Sequence, residues 1–333
     1  MLSVVGPMVE HMFGWIMRPP RPWGRRLHYA ESVLKSTVEE QAELVALLRE
    51  RPEGRSWVQL AEAVLERGSA AAVRSELVPS RLFDGEQEAQ LEKARGDVAA
   101  WLAAGLEFWT IVDERYPARV RDIQECPPFL FALGKRVDND IAVSVVGSRK
   151  ASDRGIQMAS AISEALVSMN VTVVAGLAAG IDTAAHEATL GKGGRTVAVL
   201  GTGINRHYPA DNRELQTRIA REGLLLSQFW PDAPPQKQNF PMRNAVMSGY
   251  GIATVVVEAG EHSGARIQAR MAVHHGRPVI LTDLVVDSTE WGKRLLGRPE
   301  VHVVSSISEV TTVVRELVER PKQLGAVLSQ IAV

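Results

Sequence analysis

From Ile141 onward, short apolar runs alternate with stretches of helical periodicity, and this alternation most constrains the fold. Continuous apolar strands separated by helices are typical of a parallel sheet covered on both faces, and right-handed crossovers then give a doubly wound sheet. The predicted strands are Ala142–Val146, Val171–Val174, Thr196–Leu200, Leu224–Ser227, Ala253–Val257, Pro278–Leu281 and Val301–Val304. The sequence therefore predicts an α/β fold with a mostly parallel sheet.

The helices are predicted from apolar residues at three- and four-residue spacing among charges. Between the strands they cover Gly155–Met169, Asp182–Leu190, Asn212–Arg221, Gly264–His275 and Thr289–Leu296, and a last one covers Ile307–Glu319 before Pro321. The N-terminal part predicts helices over Glu31–Glu50, Trp57–Arg67, Ala70–Leu77 and Glu86–Ala104, then a short strand over Phe108–Val112. Pro127-Pro128 and Gly134-Lys135 are interpreted as a hinge-like connection or a plain surface turn.

These patterns predict three regions. Residues 1–137 form a mainly α-helical N-terminal domain, residues 138–310 a Rossmann-like doubly wound domain, and residues 311–333 a C-terminal helix and tail. Met1–Met17 is fairly apolar but has no basic start, so it is interpreted as a terminal segment or helix and not as a secretion signal.

Composition narrows the class of protein. One cysteine, Cys126, excludes an internal disulfide framework, and no apolar run approaches the length of a membrane span, so we expect a cytoplasmic protein with no membrane partner. The formal net charge is −1, whereas proteins that bind nucleic acid over a broad face are often strongly basic. Any nucleic-acid site is therefore expected to be a local groove.

In a doubly wound sheet, ligands bind beyond the carboxyl ends of the strands. The first predicted strand ends in Gly147-Ser148-Arg149-Lys150, where a tight turn exposes amide donors and the arginine can hold a phosphate. The alternative is a turn with a surface arginine.

The second strand leads into Gly176-Leu177-Ala178-Ala179-Gly180-Ile181-Asp182 at the start of a helix. Small residues before a helix leave room for an anion against free N–H groups. Asp182 could instead cap this helix. His186 lies four residues later on the same helix face, which suggests a structural hydrogen bond between the two or, less favoured, a catalytic pair.

Gly201-Thr202-Gly203 follows the third strand but is not the dinucleotide fingerprint, which needs three spaced glycines after the first strand. The sequence also lacks a phosphate-binding P-loop, a zinc-spaced Cys/His set and a G-x-S-x-G nucleophile elbow. We therefore expect no cofactor, no metal and no catalytic residues.

An aromatic, cationic and amide cluster gives the strongest single indication of a nucleic-acid site. It consists of Lys237, Asn239, Phe240, Arg243 and Asn244, in a segment interpreted as a loop. An exposed aromatic ring beside arginine suits a stacked base with its phosphate nearby. The alternative is that Phe240 anchors the loop in the core.

The fifth strand is followed by Glu258 and then by Ser263, Gly264 and Arg266 at a helix start. This loop is a second candidate anion site, although its acidic residues make it poorer than the first. Glu258 could hydrogen-bond a base edge or a ribose. A solvated polar loop is the alternative.

Read in order, these motifs resemble the DprA/Smf family. The matching pieces are Gly147-Ser148-Arg149, Gly176-Leu177-Ala178, Gly180-Ile181-Asp182, Ala185-His186, Ala198-Val199-Leu200-Gly201, Gly203, Tyr208-Pro209, Asn212, Phe240-Pro241, Arg243-Asn244, Gly249, Val257-Glu258-Ala259 and Ser263-Gly264. Tyr116-Pro117, Pro127-Pro128 and Leu130-Phe131 resemble the segment that leads into the family's core.

The resemblance implies a non-enzymatic protein that binds and protects single-stranded DNA, loads a RecA-type recombinase in natural transformation or other DNA recombination, and forms a homodimer. It implies that Arg149 and Ser148 hold a phosphate, that Phe240 stacks on a base, and that Arg243 and Asn244 contact the DNA backbone or a base edge. Gly176, Gly180 and Asp182 would shape the pocket floor.

The sequence departs from the family at several points. Ala179 and Ala245 stand where many members have basic residues, Tyr250-Gly251 replaces the common Leu-Ser, and Ala265-Arg266 alters the last loop. Two missing cations should weaken DNA binding, unless Lys237 and Arg266 compensate. We expect no counterpart of the C-terminal winged helix of some members, and a divergent paralogue is one interpretation.

Two other functions remain open from the sequence. One is a nucleotide-binding sensor whose N-terminal helices respond to the ligand. The other is an enzyme similar to the LOG phosphoribohydrolases, which cleave nucleoside monophosphates. The P-G-G-x-G-T-x-x-E loop of that family is not matched between Glu258 and Gln268, which lacks the paired glycines and the following glutamate.

Overall fold

The computed structural model describes residues 36–78 and 85–331, with the backbone alone described over 321–331. The Met1–Met17 segment and the first residues of the predicted helix Glu31–Glu50 lie outside the described residues.

The N-terminal part is helical, as predicted. Its helices are α1 (Val38–Glu50), α2 (Trp57–Arg67), α3 (Ala70–Leu77) and α4 (Gly85–Ala103). Local chemistry sets their ends: Ser56 and Gln59 form a reciprocal capping box at the start of α2, and Gly68 ends it in the left-handed conformation at φ 71°.

The described residues form one nine-stranded sheet, in the order β1-β2-β6-β5-β4-β3-β7-β8-β9. The strands are β1 (Glu107–Thr110), β2 (Phe129–Gly134), β3 (Ala142–Val146), β4 (Thr172–Ala175), β5 (Thr196–Val199), β6 (Leu224–Ser227), β7 (Ala253–Val256), β8 (Val279–Thr282) and β9 (Val301–Val304). Strands β3 to β9 pair in parallel, whereas β1 and β2 are antiparallel additions. The predicted mostly parallel α/β sheet is confirmed.

Helices connect the strands and cover both faces of the sheet. They are α5 (Ala118–Arg121), α6 (Asp153–Ser168), α7 (Ile181–Gly191), α8 (Arg213–Glu222), α9 (Asn239–Tyr250), α10 (Gly264–His274), α11 (Asp283–Ser288), α12 (Glu290–Lys293) and α13 (Ile307–Ile331), with 3-10 turns at Pro52–Gly54 and Ala210–Asn212. Two separate groups of buried apolar side chains pack around the sheet. Among the helices of the described residues, none is long and apolar enough to cross a membrane.

The strand order reverses between β3 and β7. From β3 the chain adds β4, β5 and β6 on one side, then returns to place β7, β8 and β9 on the other. Such a switch point opens a crevice at the carboxyl ends of the two central strands, where the loops diverge. The fold thus puts the loops after β3 and β7 side by side.

Four segments differ from the sequence prediction. Phe129–Gly134, interpreted as part of a hinge, is strand β2. The segment interpreted as a loop around Phe240 is helix α9. The helix predicted over Thr289–Leu296 is the shorter α12, and α11, which precedes it, was not predicted. The last helix was predicted to end at Glu319, but α13 continues to Ile331.

Aromatic packing joins the N-terminal helices to the sheet. Trp101 of α4 meets Phe131 of β2 edge-on, with ring centres 5.0 Å apart. Trp57 of α2 and Trp230, which follows β6, lie 5.4 Å apart, and Trp230 stacks on Phe129 at 4.7 Å. The sheet thus includes two strands before residue 138, and the predicted division at residue 137 stays a prediction.

Candidate nucleic-acid interface

The loops after β3, β4 and β5 lie together at the carboxyl edge of the sheet. Backbone hydrogen bonds join the loop after β3 to the loops after β7 and β4. Ser148 N–H donates to the Glu258 carbonyl at 2.7 Å, and Ile181 N–H donates to the Ser148 carbonyl at 3.2 Å. Gly147 packs against Ile181. These bonds fix the turn that carries Arg149 and Lys150, both of which are exposed.

The Ser148 hydroxyl is available to a ligand. Its Oγ accepts a hydrogen bond from Lys150 N–H at 3.1 Å, so its own proton is not used in that bond. Arg149 forms no ion pair among the described residues. A serine hydroxyl and an unpaired guanidinium in one fixed turn are suitable donors for a phosphate.

The loop after β4 needs a glycine at Gly180. This residue has φ +80°, and a side chain there would overlap the Ser148 carbonyl oxygen. The same loop is held internally by Asp182, whose Oδ2 accepts from Gly176 N–H at 3.0 Å and from Ala178 N–H at 3.3 Å. Asp182 is therefore bonded to loop amides that precede the helix.

Asp182 and His186 do not form the hydrogen bond that the sequence suggested. The His186 Nδ1 lies 2.7 Å from Thr196 Oγ1, which in turn donates to the Val173 carbonyl at 2.9 Å. Since the threonine proton is used, Nδ1 of His186 carries a proton and donates it. Both residues are buried, which makes a surface catalytic pair a poor description.

Burial changes the ionisation of this region. Burial, together with the positive charge of Arg243, lowers the pKa of His186 to about 3. Burial raises the pKa of Asp182, although Arg243 and the loop amides oppose this. Burial also lowers the pKa of Arg243 to about 10, and the Asp182 carboxylate opposes that shift.

Arg243 lies beneath the loops that follow β4 and β5. Its side chain is 5% exposed, and Nη1 donates to the carbonyls of Gly176 and, at 2.9 Å, of Val199. It thereby connects α9 to the ends of β4 and β5. Asn244 Oδ1 accepts from Arg243 Nε at 3.1 Å, and Asn239 and Asn244 are also buried. Direct DNA contact by these three residues stays a prediction, and their contacts here are structural.

Phe240 is placed at the surface by the first turn of α9. Its ring is half-buried, packs over Gly201, and lies 5.2 Å from the guanidinium carbon of Arg149. Tyr208 also contacts this ring, with ring centres 5.6 Å apart, and is 42% exposed. We call Arg149, Tyr208 and Phe240 the aromatic platform. Exposed Lys237 is three residues before Phe240.

The loop after β7 is a weaker anion site. Ser263 caps α10 by accepting from Ala265 N–H at 3.2 Å, and exposed Gly264 begins that helix. Arg266 donates to the Glu261 carbonyl at 3.3 Å and lies 3.8 Å from its carboxylate, which offsets the arginine charge.

The Glu258 carboxylate already accepts hydrogen bonds from the loop after β3. It accepts from both the backbone and the hydroxyl of Ser152, the latter at 2.7 Å. These bonds join the loops after β3 and β7 across the switch point. The contact of Glu258 with a base edge or ribose therefore stays a prediction.

The sequence interpretation did not include Tyr208 among the site residues. Its signal was available: an aromatic residue follows the Gly201-Thr202-Gly203 turn, which leaves the third parallel strand at the same edge as Arg149. Within residues 36–78 and 85–331, no group of three or more His, Cys, Asp or Glu side chains is placed to hold a metal ion.

The doubly wound sheet defines the class: a Rossmann-like protein whose glycine loops and aromatic platform lie at the carboxyl edge of the sheet. A family model described as "DNA recombination-mediator protein A" matches residues 107–315. The chain belongs to this family, and the resemblance to DprA/Smf is confirmed.

Relatives in sequence support the assignment. DNA processing protein DprA from Streptococcus pneumoniae is 38% identical over 207 residues, which are 61% of this chain and 72% of that protein. Protein Smf from Synechocystis is 42% identical over 179 residues, 52% of this chain but only 45% of that protein. The match therefore spans less than half of the Synechocystis relative.

Solved structures agree with the fold. The X-ray structure of DprA from Streptococcus pneumoniae gives a TM-score of 0.64 at 30% identity, covering 84% of this chain and 98% of that one. DNA processing protein A from Helicobacter pylori, described as having a single-stranded-DNA-binding mode, gives a TM-score of 0.57 at 22% identity over 63% of this chain and 96% of that one. At that identity the second structure supports the fold alone.

Proposed function

We propose that this protein binds single-stranded DNA in the groove at the carboxyl edge of the sheet and acts as a mediator without chemistry of its own. The observation that carries the proposal is the aromatic platform. The Arg149 guanidinium lies 5.2 Å from the Phe240 ring centre, and the exposed ring of Tyr208 lies 5.6 Å from it. Arginine and aromatic rings in one groove suit stacked bases whose phosphates are held nearby.

The charge distribution supports a local site. The whole chain has a net charge of −1, but Arg149, Lys150 and Lys237 are exposed beside the platform. Each phosphate that a cation neutralises contributes a slope of about −0.7 to the logarithm of affinity against the logarithm of salt concentration for single strands. We expect a slope between about −1.4 and −2.1, as for two or three contacts.

We propose that the DNA-bound protein assists the loading of a RecA-type recombinase, in the cytoplasm and as a homodimer. This role follows from membership of a family described as a recombination mediator. Natural transformation is the process that the resemblance implies. Dimerisation is tested by sedimentation equilibrium, and loading by the rate at which a RecA-type protein displaces a single-strand-binding protein from DNA.

The test of DNA binding is a fluorescence anisotropy titration of the full chain into labelled oligo-dT at two salt concentrations. Arg149→Ala and Phe240→Ala should each weaken binding by roughly 1–3 kcal/mol, and only the arginine variant should reduce the salt slope. Arg67→Ala is the matched control, because it removes an exposed arginine from α2, away from the platform.

AMP as a competitor separates the alternatives. AMP that displaces DNA at equal concentration would favour a nucleotide-binding sensor, and release of adenine from AMP would favour a phosphoribohydrolase. AMP binding or AMP hydrolysis by a protein that does not bind oligo-dT would overturn the mediator proposal.

A further inference from the structure

A second charged site lies at the opposite edge of the sheet, where the parallel strands begin. Asp140 just before β3, Leu224 at the start of β6 and Tyr250 at the end of α9 line a cavity of about 260 Å³ there. Four arginines also line it: Arg115, Arg119, Arg121 and Arg136. Because the DNA groove lies at the carboxyl ends of the strands, this cavity is separate from it.

Two of these arginines are neutralised by carboxylates. Arg115 lies 2.7 Å from the Asp113 carboxylate, and Arg136 pairs with Asp138. Arg119 and Arg121 differ, because in the described part of the chain no carboxylate lies in ion-pair distance of either. The cavity therefore has two half-buried guanidinium groups whose charges are not neutralised by a direct partner.

Main-chain carbonyls hold both groups in place. Arg119 uses Nε and Nη2, which donate to the carbonyls of Tyr250 and Asp140. Arg121 uses the same two atoms, with Nε 2.8 Å from the Ile111 carbonyl and Nη2 2.7 Å from that of Asp113. In each guanidinium Nη1 has no hydrogen-bond acceptor among the described residues. Two donors are thus held ready at one cavity.

The nearby buried carboxylate is already occupied. Asp140 accepts hydrogen bonds from Arg195 at 2.9 Å, from Tyr250 at 2.8 Å and from Thr172 at 2.5 Å. A further cation stands behind α5, where Arg277 Nη2 donates to the Arg119 carbonyl at 3.3 Å. Exposed Glu114 is the lining acid that forms no ion pair among the described residues. Two arginines without a carboxylate partner thus outnumber one unpaired acid, and this excess of positive charge favours an anion.

We propose that this cavity binds a phosphate group through Arg119 and Arg121. Each guanidinium keeps its positive charge and a free Nη1, which can donate a charge-assisted hydrogen bond to a phosphate oxygen. The main-chain carbonyls have already fixed the orientation of both side chains. The cavity is small, and its aromatic lining residues Trp109, Tyr116 and Tyr250 are buried and offer no exposed ring face for a base, so the ligand is a small phosphate species.

Isothermal titration calorimetry tests the site with the full chain carrying Arg149→Ala, so that the DNA groove contributes less. Inorganic phosphate is titrated at constant ionic strength set with chloride, and we expect binding at one site. Arg119→Met and Arg121→Met should each weaken it at least about tenfold, the effect of losing one charge-assisted hydrogen bond. Arg51→Met is the matched control, since Arg51 is exposed, donates to the Arg55 carbonyl and does not line the cavity.

A parallel titration with AMP identifies the source of the phosphate. Equal or tighter binding of AMP that Arg121→Met weakens would assign the site to a phosphate monoester, whereas binding of inorganic phosphate alone would assign it to the free ion. The proposal would be overturned if no binding is detected at about 10 mM phosphate, a concentration that corresponds to a binding free energy of only roughly 3 kcal/mol. Binding unchanged in both methionine variants would do so too.

Circular dichroism checks that the variants fold. Should the methionine variants unfold, Arg119→Lys and Arg121→Lys keep the charge but lose the planar geometry. Phosphate binding at least about threefold weaker in these variants supports the site, and unchanged binding overturns it.

Discussion

A side chain at Gly176 would overlap the guanidinium of Arg243, because Nη1 of that arginine lies against the glycine backbone and donates to its carbonyl. The arginine has no room to withdraw, since it is fully buried between the ends of β4 and β5. Gly176→Ala is therefore expected to destabilise the fold by about 1–3 kcal/mol, as for overpacking of a core. Urea unfolding followed by circular dichroism measures this.

Gly191→Ala is the matched control for that substitution. Gly191 is the last residue of α7, and a Cβ there would meet nothing within 4 Å. Its replacement should leave stability unchanged or raise it slightly, because alanine has the higher helix propensity. Equal midpoints for the two alanine variants would show that Arg243 adjusts at no cost.

Replacing two arginines of the site should affect two different properties, the stability of the fold for Arg243 and DNA binding for Arg149. Arg243→Met removes the donor to two buried carbonyls, so it should destabilise the protein by about 2–5 kcal/mol. Arg149→Met removes an exposed side chain and should change stability by no more than about 0.5 kcal/mol, while it weakens DNA binding. Thermal unfolding and oligo-dT anisotropy on the same preparations separate the two effects.

An equal loss of stability in Arg243→Met and Arg149→Met would contradict this prediction. The prediction also fails if Arg243→Met stays fully stable and loses DNA binding, in which case Arg243 would turn outward to contact the ligand directly.

The parallel strands could be predicted from sequence to within about two residues because burial on both faces demands an unbroken apolar run. Ala142–Val146 and Leu224–Ser227 have the bounds that the sequence predicted. The antiparallel strand β2 escaped prediction, since it follows Pro127-Pro128 and contains phenylalanine and leucine with no β-branched residue. It becomes a strand through its antiparallel pairing with β1 and β6, which sequence periodicity does not reveal.

The sequence could group the loops that form the candidate site, but it could not predict how deeply each side chain is buried. Loops after consecutive parallel strands must meet at one edge, so Gly147, Gly176 and Phe240 could be grouped from the sequence alone. Helix α9 could not be predicted, because Pro241 suggests a break although a proline in the first turn is compatible with a helix. A helix on which Arg243 and Asn244 point inward has no amphipathic pattern, so their burial was not predictable.

His186 should make stability depend on pH. Its pKa is about 3 in the folded state, because burial disfavours the charged ring, whereas an unfolded histidine titrates near 6.5. The unfolded chain thus binds the extra proton first as pH falls. The contribution of His186 to the free energy of unfolding is therefore fully present above about pH 6.5. Below that pH it declines by up to about 1.4 kcal/mol per pH unit, down to about pH 3.

Urea unfolding at several pH values between about 7 and 5 tests this, with His186→Leu beside the unchanged protein. Asp182 and Arg243 are present in both chains, so the difference between the two curves reports His186. The leucine variant should show a shallower decline in the free energy of unfolding. Parallel curves would mean that the folded protein accepts the proton on the unpaired Nε2 atom without cost.

Tyr208 should contribute to DNA binding although it has no charge. It is 42% exposed and extends the platform by one ring beyond Phe240. Tyr208→Ala is expected to weaken oligo-dT binding by roughly 1–3 kcal/mol, the range for loss of one stacked base, with the salt slope unchanged. Tyr208→Phe keeps the ring and removes only the hydroxyl, so it should bind as the unchanged protein does. If the phenylalanine variant loses as much affinity as the alanine variant, Tyr208 acts through a hydrogen bond from its hydroxyl and the base stacks elsewhere on the platform.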